Sequence, residues 1–138
     1  MTRAQPDART LVIDVLHAVQ REGRATTVAL DRALRKAPSG PDRAFITDVV
    51  YGALRWLPAL DAALAERLPD PAALPERVRD ALRAGSYERL VRGTPVHAAV
   101  HAWVEVVKRS GGPGAKLAGL VNAVLRRVAF AEAADAAP

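Results

Sequence analysis

Apolar residues recur three and four positions apart along nearly the whole chain, the period of a helix that buries one face. Leu11, Val12, Val15, Leu16 and Val19 form the first such stripe, which Asp7 can cap and Gly23 ends. A second stretch runs from Thr26 or Thr27 to Lys36 and stops before Pro38-Ser39-Gly40-Pro41. The third starts near Pro41-Asp42 and carries Phe45, Ile46, Val49, Val50, Ala53 and Leu54 up to Trp56. Pro58 suits the first turn of a fourth, with Leu60, Leu64 and Leu68 ahead of the Pro69-Asp70-Pro71 break. Pro75 opens a fifth through Val78, Ala81, Leu82 and Leu90 to Gly93, a left-handed cap. Thr94-Pro95 supplies the N-cap and first turn of a sixth, with Val96, Ala99, Val100, Trp103, Val104 and Val107 inward until Lys108 and Arg109. Beyond the Gly111-Gly112-Pro113-Gly114 loop a seventh carries Leu117, Leu120, Val121, Val124, Leu125 and Val128. No alternation of period two is long enough for a strand, so the pattern predicts an all-α fold of about seven helices.

Gly85 falls inside the fifth helix, where a glycine marks close packing against a neighbour more often than a hinge. The chain has 138 residues, half of them apolar, enough for one sizeable core and not for two unrelated domains. Aromatics make up only 4 %, and Ala, Leu and Arg are among the strongest helix formers. The uncharged runs are too short to span a bilayer, and Arg3, Asp7 and Arg9 stand where a signal peptide needs an apolar run. A cytoplasmic protein with no membrane partner is the expectation.

The absence of cysteine excludes disulfides, thiolate metal sites and a cysteine nucleophile from these residues. His97 and His101 have a spacing that can bind metal, but no HExxH pattern or third ligand accompanies them, so no metal is expected. The glycine loop before Lys116 invites a phosphate-loop reading that fails, because the motif needs a preceding strand and a Lys followed by Ser or Thr. No GxGxxG follows a strand, so no dinucleotide or S-adenosylmethionine site and no cofactor is expected. Capping and solvation account for the carboxylate pairs Asp7/Asp14 and Asp42/Asp48. A binding module is favoured over an enzyme.

Charge gives that module a direction. The net +5 divides into +3 over residues 1–36, −3 over 37–76, +7 over 77–127 and −2 over 128–138. A domain so polarised suits a polyanion, most simply nucleic acid, and seventeen of the twenty basic residues are Arg, suited to bidentate phosphate contacts.

Three segments together resemble the NusB superfamily of all-helical RNA-binding domains. They are Asp42-Arg43-Ala44-Phe45-Ile46-Thr47 running to Val50-Tyr51-Gly52-Ala53-Leu54-Arg55; Gly85-Ser86-Tyr87-Glu88-Arg89-Leu90 running to Pro95-Val96-His97-Ala98-Ala99-Val100; and Gly119-Leu120-Val121-Asn122-Ala123-Val124-Leu125-Arg126. The details are most similar to the N-terminal domain of ribosomal RNA cytosine-C5 methyltransferases of the RsmB (Sun/Fmu) type. Those enzymes share a Tyr/Phe-Gly-x-Leu-Arg turn, a Pro-x-His/Arg-Ala-Ala helix start and Asn-x-Val-Leu-Arg in the last helix, where the free antitermination factor more usually ends in Asp. Many relatives show an Asn-Glu pair where this chain has His101-Ala102.

The resemblance implies the NusB fold, two small helical bundles packed together over residues 1–130, with 131–138 a tail or cut linker. It implies an RNA-contacting domain that helps a methyltransferase hold small-subunit ribosomal RNA. The catalytic half of such enzymes uses a cysteine and a Rossmann-like cofactor site, so these residues would be a separated domain, a fragment or a short paralogue without methylating activity. The family's RNA side involves basic residues of the first helix, to which Arg9 and Arg3 correspond. Lys108, Arg109, Lys116, Arg126 and Arg127 complete the expected RNA contacts. Structural readings stand beside these: Arg55 pairing with a nearby acid, Asn122 as a buried link between helices, Tyr87 and Trp103 as core. Two alternatives remain open, a free antitermination factor with a ribosomal protein partner and a protein-interaction module without RNA affinity.

Overall fold

The computed structural model describes residues 7–130; Arg3 and the expected tail at 131–138 lie outside the described residues. The helices are α1 (Ala8–Gln20), α2 (Thr26–Leu34), α3 (Gly40–Arg55), α4 (Leu57–Ala65), α5 (Glu76–Tyr87), α6 (Val96–Ser110), the single turn α7 (Gly112–Ala115) and α8 (Ala118–Arg127). No strand occurs among the described residues, and no helix is long and apolar enough to cross a membrane.

Local chemistry explains several boundaries. Asp7 caps α1 by accepting from the Arg9 amide at 2.8 Å, as its position predicts. Ser39 caps α3, accepting from the Asp42 amide at 3.2 Å and donating to the Asp42 carboxylate at 2.9 Å, so that helix opens at Gly40. Thr94 does not cap α6: Pro95 holds the cap position and no side chain bonds the free amides there. Gly93 has the expected left-handed φ, +85°.

Two segments depart from the periodic reading. A 3₁₀ turn, Pro71–Ala73, links α4 to α5, and the predicted fifth helix changes at Tyr87 into a π-helical stretch, Glu88–Arg92. The glycine loop after α6 folds into α7, which makes Lys116 the C-cap of that turn, one residue before Leu117, the N-cap of α8.

The expected two-bundle arrangement is present, with α5 at its centre. It packs against α1, α3 and α4 on one side and against α6 and α8 on the other. Leu11 and Leu16 of α1, Ile46 of α3, Leu60 of α4, Leu82 of α5, Trp103 of α6 and Leu125 of α8 are all essentially buried in one continuous core. Two glycines sit where helices approach closely, Gly85 as its place inside the fifth helix predicts, and Gly52 of α3. A Cβ on Gly52 would run into the Tyr87 ring, and one on Gly85 would sit 2.9 Å from a Leu125 methyl and 3.2 Å from the Trp103 ring.

Candidate nucleic-acid interface

The basic residues fall into three groups, according to what each has nearby. The first group is internal. Glu88, 1 % exposed, turns inward at the start of the π stretch and accepts from Arg9 twice, Nε at 3.1 Å and Nη2 at 2.8 Å, and from Trp103 Nε1 at 2.8 Å. The Arg9 guanidinium also lies 4.7 Å from the Phe45 ring centroid and 5.7 Å from that of Trp103. Arg9 is therefore committed to a buried carboxylate and two aromatic faces, and it is not a free cation of α1. Arg89 donates to the Val128 carbonyl and so ties the π stretch to the end of α8.

A second internal cluster joins α1, α4 and α5. Arg83 grips Asp61 with two bonds, 2.7 and 2.9 Å, and reaches Asp80 at 3.2 Å and the Gln20 side-chain oxygen at 3.0 Å. Burial raises the Asp80 carboxyl above its usual range despite the adjacent guanidinium, because Arg83 spends its better geometry on Asp61.

The second group consists of surface ion pairs. Arg109 pairs with Asp7 at 3.2 Å, Lys108 with Glu105 at 3.6 Å, Arg77 with Asp14 at 2.6 Å, and Arg92 with Asp48. Asp48 also accepts from the Tyr87 hydroxyl at 3.1 Å.

The third group has no acidic partner among the described residues. It includes Lys116, Arg126, Arg127 and Arg55, all exposed. The suggested pairing of Arg55 with a neighbouring acid is thus absent. Tyr87 and Trp103 are core, as expected, at 6 % and 0 % exposed. Asn122 is only half-buried and makes no side-chain hydrogen bond among the described residues, so it does not link the helices.

Asn122 and Arg126 instead share a groove between α6 and α8, about 420 Å³ in volume, with His97, His101 and Lys108 on the opposite wall. Helical spacing produces it: positions 97, 101 and 108 lie on one stripe of α6, and 118, 122 and 126 on one stripe of α8. Two of the motif segments noted in the sequence therefore meet on one surface. No group of three or more His, Asp or Glu among the described residues could hold a metal ion. A larger cleft of about 570 Å³, between α1, the start of α5 and the α6–α7 turn, is mainly apolar and rimmed by already paired Arg77 and Arg109.

A chain in the crystal structure of a plectonemic RNA supercoil superposes with a TM-score of 0.76 at 20 % identity, over 86 % of this chain and 88 % of that one, a likeness of fold. Among curated proteins, ribosomal RNA small subunit methyltransferase B of Thermus thermophilus is 54 % identical over 92 % of this chain and 31 % of its own length. The protein of the same description from Xanthomonas campestris is 37 % identical over 87 % of this chain and 27 % of its own. The chain thus spans less than a third of the length of these relatives. The NusB family model matches residues 6–130, which is the whole of the helical body described above, and the chain belongs to the NusB family.

Proposed function

We propose that this chain is an RNA-binding helical domain that helps hold small-subunit ribosomal RNA, as the N-terminal part of a ribosomal RNA cytosine-C5 methyltransferase of the cytoplasm. The observation that carries the reading is the 54 % identity to a small-subunit rRNA methyltransferase along 92 % of the chain. The unpaired cations of the α7–α8 region support it. In this reading the chain itself performs no methyl transfer. It supplies affinity through Arg126, Arg127 and Lys116, with Lys108 and Arg109 joining as their weak surface pairs exchange for phosphate. Arg9 contributes by holding the fold, and the methyltransferase portion of the longer protein is the adjoining partner.

The test is the salt dependence of binding to small-subunit ribosomal RNA. Each phosphate neutralised on a single strand contributes a slope of about −0.7 in log affinity against log salt. Changing Arg126 and Arg127 together to Gln keeps helix propensity nearly constant, and should weaken binding and flatten the slope by about one to one and a half units. Unchanged affinity with an unchanged slope would refute this placement of the RNA contacts.

A further inference from the structure

To favour one RNA segment over another, a domain must contact bases as well as phosphates. The groove between α6 and α8 offers a place to do so. Its walls carry Asn122, His97 and His101, none of which has a hydrogen-bond partner among the described residues, together with the unpaired Arg126 and the loosely paired Lys108. Val100 and Ala118, both buried, form an apolar floor. A few convergent polar groups over an apolar floor are the ordinary composition of a ligand site.

Gly119 adds an independent observation. A Cβ built there would meet nothing within 4 Å, so packing does not require the glycine, and the space above it is open. In a helix this residue costs stability relative to almost any other. Here it leaves the groove unfilled.

We propose that this groove receives one nucleotide of single-stranded RNA: Asn122 bonds the base edge, His97 and His101 line the opposite wall, and Arg126 and Lys108 hold the flanking phosphates. The inference rests on the RNA reading above and specifies its ligand. An amide offers a donor and an acceptor side by side, the pattern that reads a base edge, and imidazoles add further hydrogen-bonding nitrogens. Two helices packed in contact lie about 8–10 Å apart. The groove between them admits a splayed-out base and excludes a duplex, whose bases are stacked inside. Charge favours RNA over an acidic or neutral peptide, because Glu105 is the groove's one carboxylate and it already faces Lys108 at 3.6 Å.

The experiment measures binding of the full chain to labelled poly(A), poly(C) and poly(U) oligoribonucleotides and to a duplex, for the parent and three variants. Gly119→Leu fills the groove while gaining helix propensity. It should melt no lower than the parent and lose about tenfold or more in single-strand affinity, the value of one bidentate base contact. Asn122→Asp keeps the shape, removes the donor, and should change the order of preference among the three homopolymers. Arg126→Gln should lower affinity for all three alike and flatten the salt slope by about 0.7. If Gly119→Leu and Asn122→Asp bind as the parent does while Arg126→Gln weakens binding, the groove proposal is overturned and the RNA reading stands. Equal affinity of parent and Gly119→Leu for the duplex and the single strands also overturns it. No measurable RNA binding by the parent overturns both, and leaves a protein as the occupant of this face.

Discussion

Glu88 provides the sharpest test of how this fold is held together. Its carboxylate is almost fully enclosed and accepts three hydrogen bonds, from Arg9 Nε, Arg9 Nη2 and Trp103 Nε1. Glu88→Met would strand a largely enclosed guanidinium and an indole N–H, and breaking one side of a buried pair costs about 3–5 kcal/mol. Glu88→Gln keeps the volume and one good acceptor but turns an amide N–H toward Arg9, for a loss of about 1.5–3 kcal/mol. Arg9→Met strands the carboxylate instead, at about 3–5 kcal/mol, and removes one of the two guanidiniums over Phe45. The double variant Arg9→Met/Glu88→Met strands neither charge. Its remaining defect is the orphaned Trp103 N–H, worth about 1–3 kcal/mol. Urea unfolding of the parent, the singles and the double gives the coupling free energy. The double should lose several kcal/mol less than the two singles together, and a domain of this size has about 5–15 kcal/mol to lose. Additive losses, or a Glu88→Gln variant within about 0.5 kcal/mol of the parent, would refute the buried-pair account. The same double variant tests Arg9 as an RNA contact: parent-like affinity and salt slope assign it to the fold alone.

Gly52→Ala should destabilise by about 1–3 kcal/mol in thermal melts, since its methyl would enter the Tyr87 ring and displace the hydroxyl from Asp48; a rise in melting temperature would show that Tyr87 swings aside freely. Gly85→Leu should do the same against Leu125 and Trp103, although helix propensity alone favours it. For Asp80 the sign follows from burial. Its folded-state pKa is raised, so between the ordinary carboxylate value of 3.8 and the folded value the native protein holds the proton more tightly, and its contribution to stability falls as pH rises through that window. Asp80→Asn removes this dependence, so the variant should gain on the parent as pH rises from below 3.8 to neutrality; a constant difference across that range counts against the burial argument.

The helices were readable because one apolar stripe per element, bounded by Pro and Gly, is a strong local signal, and Gly85 and Gly93 occur where it predicts a close approach and a left-handed cap. The π stretch was not readable. Glu88 falls on the inward stripe of the predicted fifth helix, three positions after Gly85, and a charge at an inward position is the available sign that something unusual sits there. What it signals depends on Arg9, 79 residues away, and no local rule connects the two. The excess of base in the last helices was visible as segment charge, but which cations are free was not. Arg109 and Asp7 are adjacent only because α6 ends beside the start of α1. Asn122 sits between Val121 and Leu125 in sequence, which suggests burial, yet one residue past the stripe turns it by about 100° toward the groove.

The fold also explains how a moderate sequence charge becomes a one-sided surface. Residues 77–127 contain ten bases and three acids. Two of those acids, Asp80 and Glu88, are 3 % and 1 % exposed and bonded to Arg83 and Arg9 inside the molecule. Burying them removes negative charge from the surface of this segment, and the partner of Glu88 is drawn from α1, so the first helix loses a surface cation while the last helices keep theirs. Glu105 is the one acid of this segment left near solvent, facing Lys108 across 3.6 Å. An exposed pair of this kind contributes about 0–1 kcal/mol to stability, and Gln matches Glu in helix propensity. Glu105→Gln should therefore leave the melting temperature nearly unchanged and strengthen RNA binding, because Lys108 then meets its phosphate without first leaving a carboxylate. Weaker RNA binding by a stably folded Glu105→Gln would mean that the carboxylate itself accepts from the RNA, and that charge is not what directs ligand to this face.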